Sequence, residues 1–207
     1  LVLTGAEGVF SAGGDISSME GITPLGGRAR LNRLHRLVRL MIGGETPIVA
    51  AVEGYAVGAG LSLAAACDVV VAAEDAVWSC SFNRIGLMPD MGAIWTLPAR
   101  MGIGRARRIM LTSERFSTAQ AEAWGLVEQS VPKSSALAEA QRLAGEIAER
   151  APGPVALTKT WLARAPQSLD AALAAETDAQ AVLFATQGFA EGRAAFMEKR
   201  TARFEGQ

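Results

Sequence analysis

Residues 53–68 read EGYAVGAGLSLAAACD, directly after the apolar run IVAAV at 48–52. A short apolar strand that runs into small residues and glycines, then into an alanine-rich helix, is a strand-turn-helix. Its glycines let the backbone come very close to a neighbour, and that neighbour is either a bound molecule or another strand. Deciding between the two requires the rest of the chain.

Working outward, LVLTG (1–5) reads as a buried strand, VFSAGGDI (9–16) as a second extended piece broken by a glycine pair, and residues 27–42 as a helix. In that helix Leu31, Leu34, Val38 and Met41 form one apolar stripe, and its five arginines read as a solvated basic outer face. Strands DVVVAA (68–73) and AVWSCSF (76–82) follow the opening segment. Strands alternating with helices argue for an α/β fold of βαβ type. Beyond Gly92 the pattern is helical, with a capping-box signature at Ser117 and Gln120, one short strand VEQSV, and helical segments at 134–150, 154–164, 168–187 and 191–200. The division expected is an α/β core over 1–133 and a helical region over 134–207. Leu1 already stands inside a strand, so further structure is expected upstream of it.

The chain has 207 residues, with 20 basic against 21 acidic side chains and a formal net charge of −1. That balance gives no reason to expect nucleic acid or an anionic membrane as partner. No apolar run reaches membrane-span length. Cys67 and Cys80 form neither a disulfide framework nor a zinc motif, and they point to a reducing cytoplasm.

Several stretches carry possible chemistry. Gly58-Ala59-Gly60 has neither the third glycine of a dinucleotide fingerprint nor the lysine of a phosphate loop. It offers the Ala59 amide at a turn, and Gly13-Gly14 in SAGGDI offers a second such amide. Two free amides meeting at one point would make an oxyanion hole, whereas the bland alternative is tight packing alone. Asp90, in GLMPDMG, reads either as a helix N-cap or as a carboxylate in an apolar pocket of Met88, Met91 and Trp95, its pKa raised above the usual value of about 3.9. Gly60-Leu61-Ser62-Leu63-Ala64 approaches the nucleophile elbow of serine hydrolases, but His35, the only histidine, lies in the arginine-rich helix. Asp68 reads as a structural cap, and the four tryptophans as core.

Taken together, FSAGGDI, IVAAVEGYAVGAGLSLAAACD, IGLMPDMGAIWTLPARMG, LTSERFSTAQAEAWGLVEQSVP and EGRAAFMEKRTARF resemble, in order along the chain, the crotonase superfamily of enoyl-CoA hydratases and isomerases. The PDMG wording is most similar to the 1,2-epoxyphenylacetyl-CoA isomerase subgroup. The resemblance implies a spiral of ββα turns and a C-terminal helical region that builds a homotrimer or a hexamer of two trimers. It also implies an acyl-CoA substrate, with coenzyme A as part of that substrate and no separate cofactor or metal.

Carried over, the amides of Gly14 and Ala59 hold the thioester oxygen and Asp90 is the acid/base. The peptide groups of Ala12, Asp15 and Ile16 lie near the adenine and the pantetheine arm, and Gly13 and Gly58 are further substrate-binding positions. Trp95 lines the acyl pocket, and Phe196 and Lys199 reach the adenine and phosphate end. The two glutamates of the family's hydratases are replaced by Ser62 and Phe82, which favours isomerisation over hydration. The alternatives are a hydratase that positions water with Asp90, an aroyl-CoA dehalogenase that uses Asp90 as nucleophile, a non-catalytic acyl-CoA-binding subunit and, last, a serine hydrolase.

Overall fold

The run IVAAV is apolar on both faces, and such a strand persists only where both faces are covered. In the computed structural model, which describes residues 1–164 and 168–204, its strand β2 (Val49–Val52) is buried at every position. It lies between the parallel strands β1 (Val2–Thr4) and β4 (Val69–Ala73), and β7 (Gln129–Val131) completes a four-stranded parallel sheet in the order β1-β2-β4-β7.

A second sheet, of three strands, pairs β3 (Tyr55–Val57) with β5 (Val77–Ser79) in parallel and β5 with β6 (Arg115–Ser117) in antiparallel. The chain therefore steps from one sheet to the other and then into a helix: β2, β3 and α2 (Ala59–Ala65), followed by β4, β5 and α3 (Ala93–Met101). Each step is one ββα turn. Strand and helix residues Val52, Ala56, Leu61, Val70, Trp78, Leu97 and Ile109 share one buried cluster. The Trp78 indole donates to Thr118 Oγ1 at 3.1 Å, so the one polar atom of this fully buried ring is satisfied.

The remaining elements of this unit are α1 (Pro24–Gly43), α4 (Ile103–Thr112), α5 (Thr118–Ala123) and the start of α6 (Ala136–Ala148). The Ser117/Gln120 capping box forms as the sequence suggests. Asp68 also acts structurally, its Oδ2 accepting the Ile48 amide at 2.7 Å. Strands β3 and β6 were not anticipated, because three residues hold too little periodicity to read. Residues 9–16 form no strand; only Ser11 bridges to Ala56.

The structure divides into two compact units, residues 1–42 with 48–143, and residues 43–47 with 144–207. The first takes in the front of α6 because the Glu53 carboxylate accepts the amides of Ser134 and Ala136, and Glu139 accepts from Gln129 Nε2. The second contains α7 (Pro152–Leu162), α8 (Leu169–Leu183) and α9 (Gln187–Glu198). Within it the buried Lys159 donates to the Thr46 carbonyl at 2.7 Å, and an apolar cavity of about 750 Å³ is lined by Leu157, Trp161, Ala175, Leu183 and Phe189. Among the described residues no helix is long and apolar enough to cross a membrane.

Candidate active site

Residues 10–14 are drawn alongside β3 by backbone pairing. Phe10 N donates to Glu53 O, Ser11 N to Tyr55 O and Val57 N to Ser11 O, at 2.8–3.0 Å. The glycines then allow the closest approach. A Cβ on Gly60 would stand 2.6 Å from the Ser11 carbonyl oxygen, and one on Gly13, whose φ is +106°, would lie 3.1 Å from Val57 O and 3.9 Å from Ala59 N. The neighbour of the glycine turn is thus the 11–14 segment.

Two loops from distant parts of the sequence therefore meet, as their glycines suggested. Among the described residues neither the Gly14 amide nor the Ala59 amide donates a hydrogen bond, whereas the Gly13 amide donates to Ser11 Oγ at 3.2 Å and the Gly58 amide to Ser79 O at 2.9 Å. Ala12, Asp15 and Ile16 are exposed on the same loop. The Asp15 carboxylate accepts the Ser17 amide and hydroxyl, and these bonds hold it below the usual carboxylate range.

Asp90 sits on a turn with two successive left-handed residues, Met91 at φ 52° and Gly92 at φ 80°. Met91 is buried, and a Cβ on Gly92 would press on Val38 Cγ1 of α1 at 3.0 Å. A non-glycine residue held at positive φ costs about 1–3 kcal/mol and marks a position the surroundings enforce. The N-cap alternative fails, since the cap residue of α3 is Gly92 and the side chain of Asp90 caps nothing. Instead its Oδ1 is buried without a hydrogen-bond partner.

Burial pushes the Asp90 carboxyl above its ordinary value, against the opposing pull of His35 and then Arg30. The nearby Cys80 thiol is pushed up to about 12 by burial and by the charge of Asp90, so it stays neutral. Of the expected pocket walls only Met91 is buried; Met88 is 68% and Trp95 46% exposed.

Ser62 is wholly buried, its hydroxyl donating back to Gly58 O at 3.3 Å, which removes it as an exposed nucleophile. Phe82 is buried in the core on a 3-10 turn, Ser81–Ile85. In the second unit Phe196 is 83% exposed on α9, and Lys199 ends that helix at φ 55°.

Arg30 and His35 are the residues that sequence reasoning passed over. The arginines read as a solvated face and His35 as a surface or boundary residue, yet Arg30 and His35 are both half-buried on the side of α1 that carries Val38 and Met41. Arg30 stands four residues before Leu34 and eight before Val38, so helical spacing alone already placed it on the apolar stripe.

The enoyl-CoA hydratase/isomerase family model matches residues 1–207. "Enoyl-CoA hydratase domain-containing protein 2, mitochondrial" of Bos taurus is 36% identical over 99% of this chain and 71% of its own length. The 1,2-epoxyphenylacetyl-CoA isomerase of Escherichia coli is 34% identical over 100% of this chain and 81% of its own length. Among solved structures, an enoyl-CoA hydratase from Polaromonas superposes with a TM-score of 0.94 at 36% identity, covering 99% of this chain and 81% of that one. The ββα turns, the converging glycine loops and these matches agree: the chain belongs to the enoyl-CoA hydratase/isomerase family and has the crotonase fold.

Proposed function

We propose that this acyl-CoA-processing enzyme moves the double bond of a 3-enoyl-CoA, or isomerises a phenylacetyl-CoA-derived substrate, through a thioester enolate, with Asp90 as acid and base. The observation that carries this reading is the buried, unpartnered Oδ1 of Asp90, a carboxylate with raised proton affinity and no structural bond to give up.

The thioester oxygen sits on the amides of Gly14 and Ala59, beside Gly13 and Gly58, and the peptide groups of Ala12, Asp15 and Ile16 run along the adenine and pantetheine arm. Each such donor is worth roughly 2.7–4 kcal/mol to a developing oxyanion. Asp90 removes a proton from C2; the electron pair spreads over C2–C4 and the thioester oxygen; the same proton returns at C4 and leaves a 2-enoyl-CoA. General base catalysis contributes roughly 10²–10⁴-fold. Ser62 and Phe82 supply no second carboxylate to activate water, and this supports isomerisation over hydration. No separate cofactor enters the scheme.

The two buried cysteines, Cys67 and Cys80, support a reducing compartment such as the cytoplasm. Trimeric or hexameric assembly completes the reading. Turnover of 3-hexenoyl-CoA tests it: a 2-enoyl product supports the isomerase, and no conversion by a folded enzyme counts against it. Hydration is the second reading, favoured by hydratase names among the relatives, and a 3-hydroxyacyl product would establish it.

A further inference from the structure

The helix that presents the Ala59 amide is held from its far end. α2 opens at Gly58 with no side-chain cap, which leaves its first amides free for a ligand. Its buried side chains are Leu61, Ser62, Ala64 and Ala65, and only one of them is large. Apolar packing of this kind is non-directional and sets the depth of a helix better than its position along its own axis. The contact of Gly60 with Ser11 blocks movement from one side only.

At the C-terminal end the bonds are directional. Arg100 Nε donates to the Ala65 carbonyl at 2.9 Å, and its Nη2 donates to the carbonyls of Cys67 and, at 3.3 Å, Asp68. Nη1 donates to Glu128 Oε1 at 2.7 Å, and Glu128 Oε2 accepts the Val70 amide of β4 at 2.6 Å, so the guanidinium is itself anchored on the parallel sheet. The Arg100 side chain is 15% exposed. A cation in this place satisfies the orphan carbonyls of the helix end and complements its dipole.

Arg100 belongs to α3, and the turn that carries Asp90 leads directly into that helix, with Ala93 N donating to Asp90 O at 3.1 Å. α2 and α3 thus start at the two halves of the candidate site and are joined near their other ends by one guanidinium. We propose that Arg100 is a positioning residue: it sets the register of α2 against α3, and with it the spacing between the Ala59 amide and Asp90. α2 spans only about 10 Å, so a shift at Ala65 reaches Ala59 almost undiminished.

This role rests on the chemistry proposed for Ala59 and Asp90, and the experiment tells the two apart. The reporter is the thioester carbonyl stretch of bound hexanoyl-CoA, labelled with ¹³C at C1, in infrared difference spectra. The saturated ester has no double bond to move, and its band falls in frequency when the oxygen accepts strong hydrogen bonds. In the parent the band is expected below its position in water. Arg100→Gln should return it at least halfway, and lower kcat on 3-hexenoyl-CoA by roughly tenfold or more with KM within about threefold. Arg100→Lys keeps the charge without the fork and should give an intermediate band. Glu128→Gln removes the ion pair but leaves the bonds to α2, so it should lower Tm while band and kcat stay near the parent values.

A folded Arg100→Gln enzyme that keeps the parent band overturns the proposal even if its Tm falls; should that variant not fold, a parent band in Arg100→Lys does the same. A Glu128→Gln band displaced as far as that of Arg100→Gln also overturns it, because general loosening would then explain both. Failure of the functional reading looks different: the parent band itself would lie at its position in water, and the role of Arg100 would fall with it.

Discussion

Gly60→Ala is the sharpest single test of the loop geometry. The added methyl would sit 2.6 Å from the Ser11 carbonyl oxygen, 2.7 Å from its Cβ and 2.9 Å from its Oγ, so two of the three obstacles cannot swing aside. Restoring an ordinary contact separates the 11–14 and 58–60 segments by roughly 0.8 Å. Overpacking of this kind costs about 1–3 kcal/mol, and for a chain of this size each kcal/mol lowers Tm by roughly 2–4 °C. The catalytic loss should be larger, because misplacement near 1 Å costs about 100-fold and loss of one oxyanion donor costs about 10²–10³-fold.

Calorimetry and steady-state kinetics on the same preparation give both numbers. Gly145→Ala is the control: that glycine lies in α6 with open space around it, and the change should be neutral or stabilising. A folded Gly60→Ala enzyme with kcat within threefold of the parent would refute the claim that these loops hold the thioester together.

Other outcomes follow from the same structure. The Asp90 carboxyl binds its proton more tightly folded than unfolded, so its ionisation lowers stability as pH rises from the ordinary 3.8 through the folded value. Denaturant titrations should therefore show Asp90→Asn gaining on the parent with rising pH over that window, with no further gain above it; an equal offset at every pH contradicts the raised value. For the same reason the acidic limb of kcat/KM should lie above pH 3.8 and vanish with Asp90. Cys80, with its thiol near 12, should resist alkylation at neutral pH in the native enzyme and react on unfolding, as read by mass spectrometry. Phe196→Ala and Lys199→Ala should raise KM for acyl-CoA several-fold while leaving kcat unchanged; a lowered kcat at constant KM contradicts their place at the nucleotide end.

Much of this architecture is legible in the sequence for definite reasons. Strands β2 and β4 are continuous apolar runs that only a doubly covered parallel sheet can bury; Gly60 is required where two backbones nearly touch, and glycine is favoured at 13 and 58 by their positive φ. Strands β3 and β6 escape because three residues of mixed polarity show no period; their identity comes from partners far along the chain.

At the site, Asp90 could be singled out by its proline and glycine neighbours, but the choice between cap and orphaned carboxylate lay in the left-handed pair Met91-Gly92. Of the three apolar residues around Asp90, burial alone marks only Met91 as a wall, because Met88 and Trp95 are exposed. Arg30 was missed because its charge outweighed its position, although it stands on the apolar stripe by spacing.

The central claim is that Asp90 moves a proton along an enolate held by Gly14 and Ala59. The most direct measurement incubates the parent enzyme and Asp90→Asn with 3-hexenoyl-CoA in heavy water and follows products by mass spectrometry. The account predicts a 2-hexenoyl-CoA from the parent with no added water, and an Asp90→Asn enzyme that still binds acyl-CoA but turns over at least 100-fold more slowly. A 3-hydroxyacyl-CoA from the parent, or undiminished isomerisation by Asp90→Asn, would contradict it.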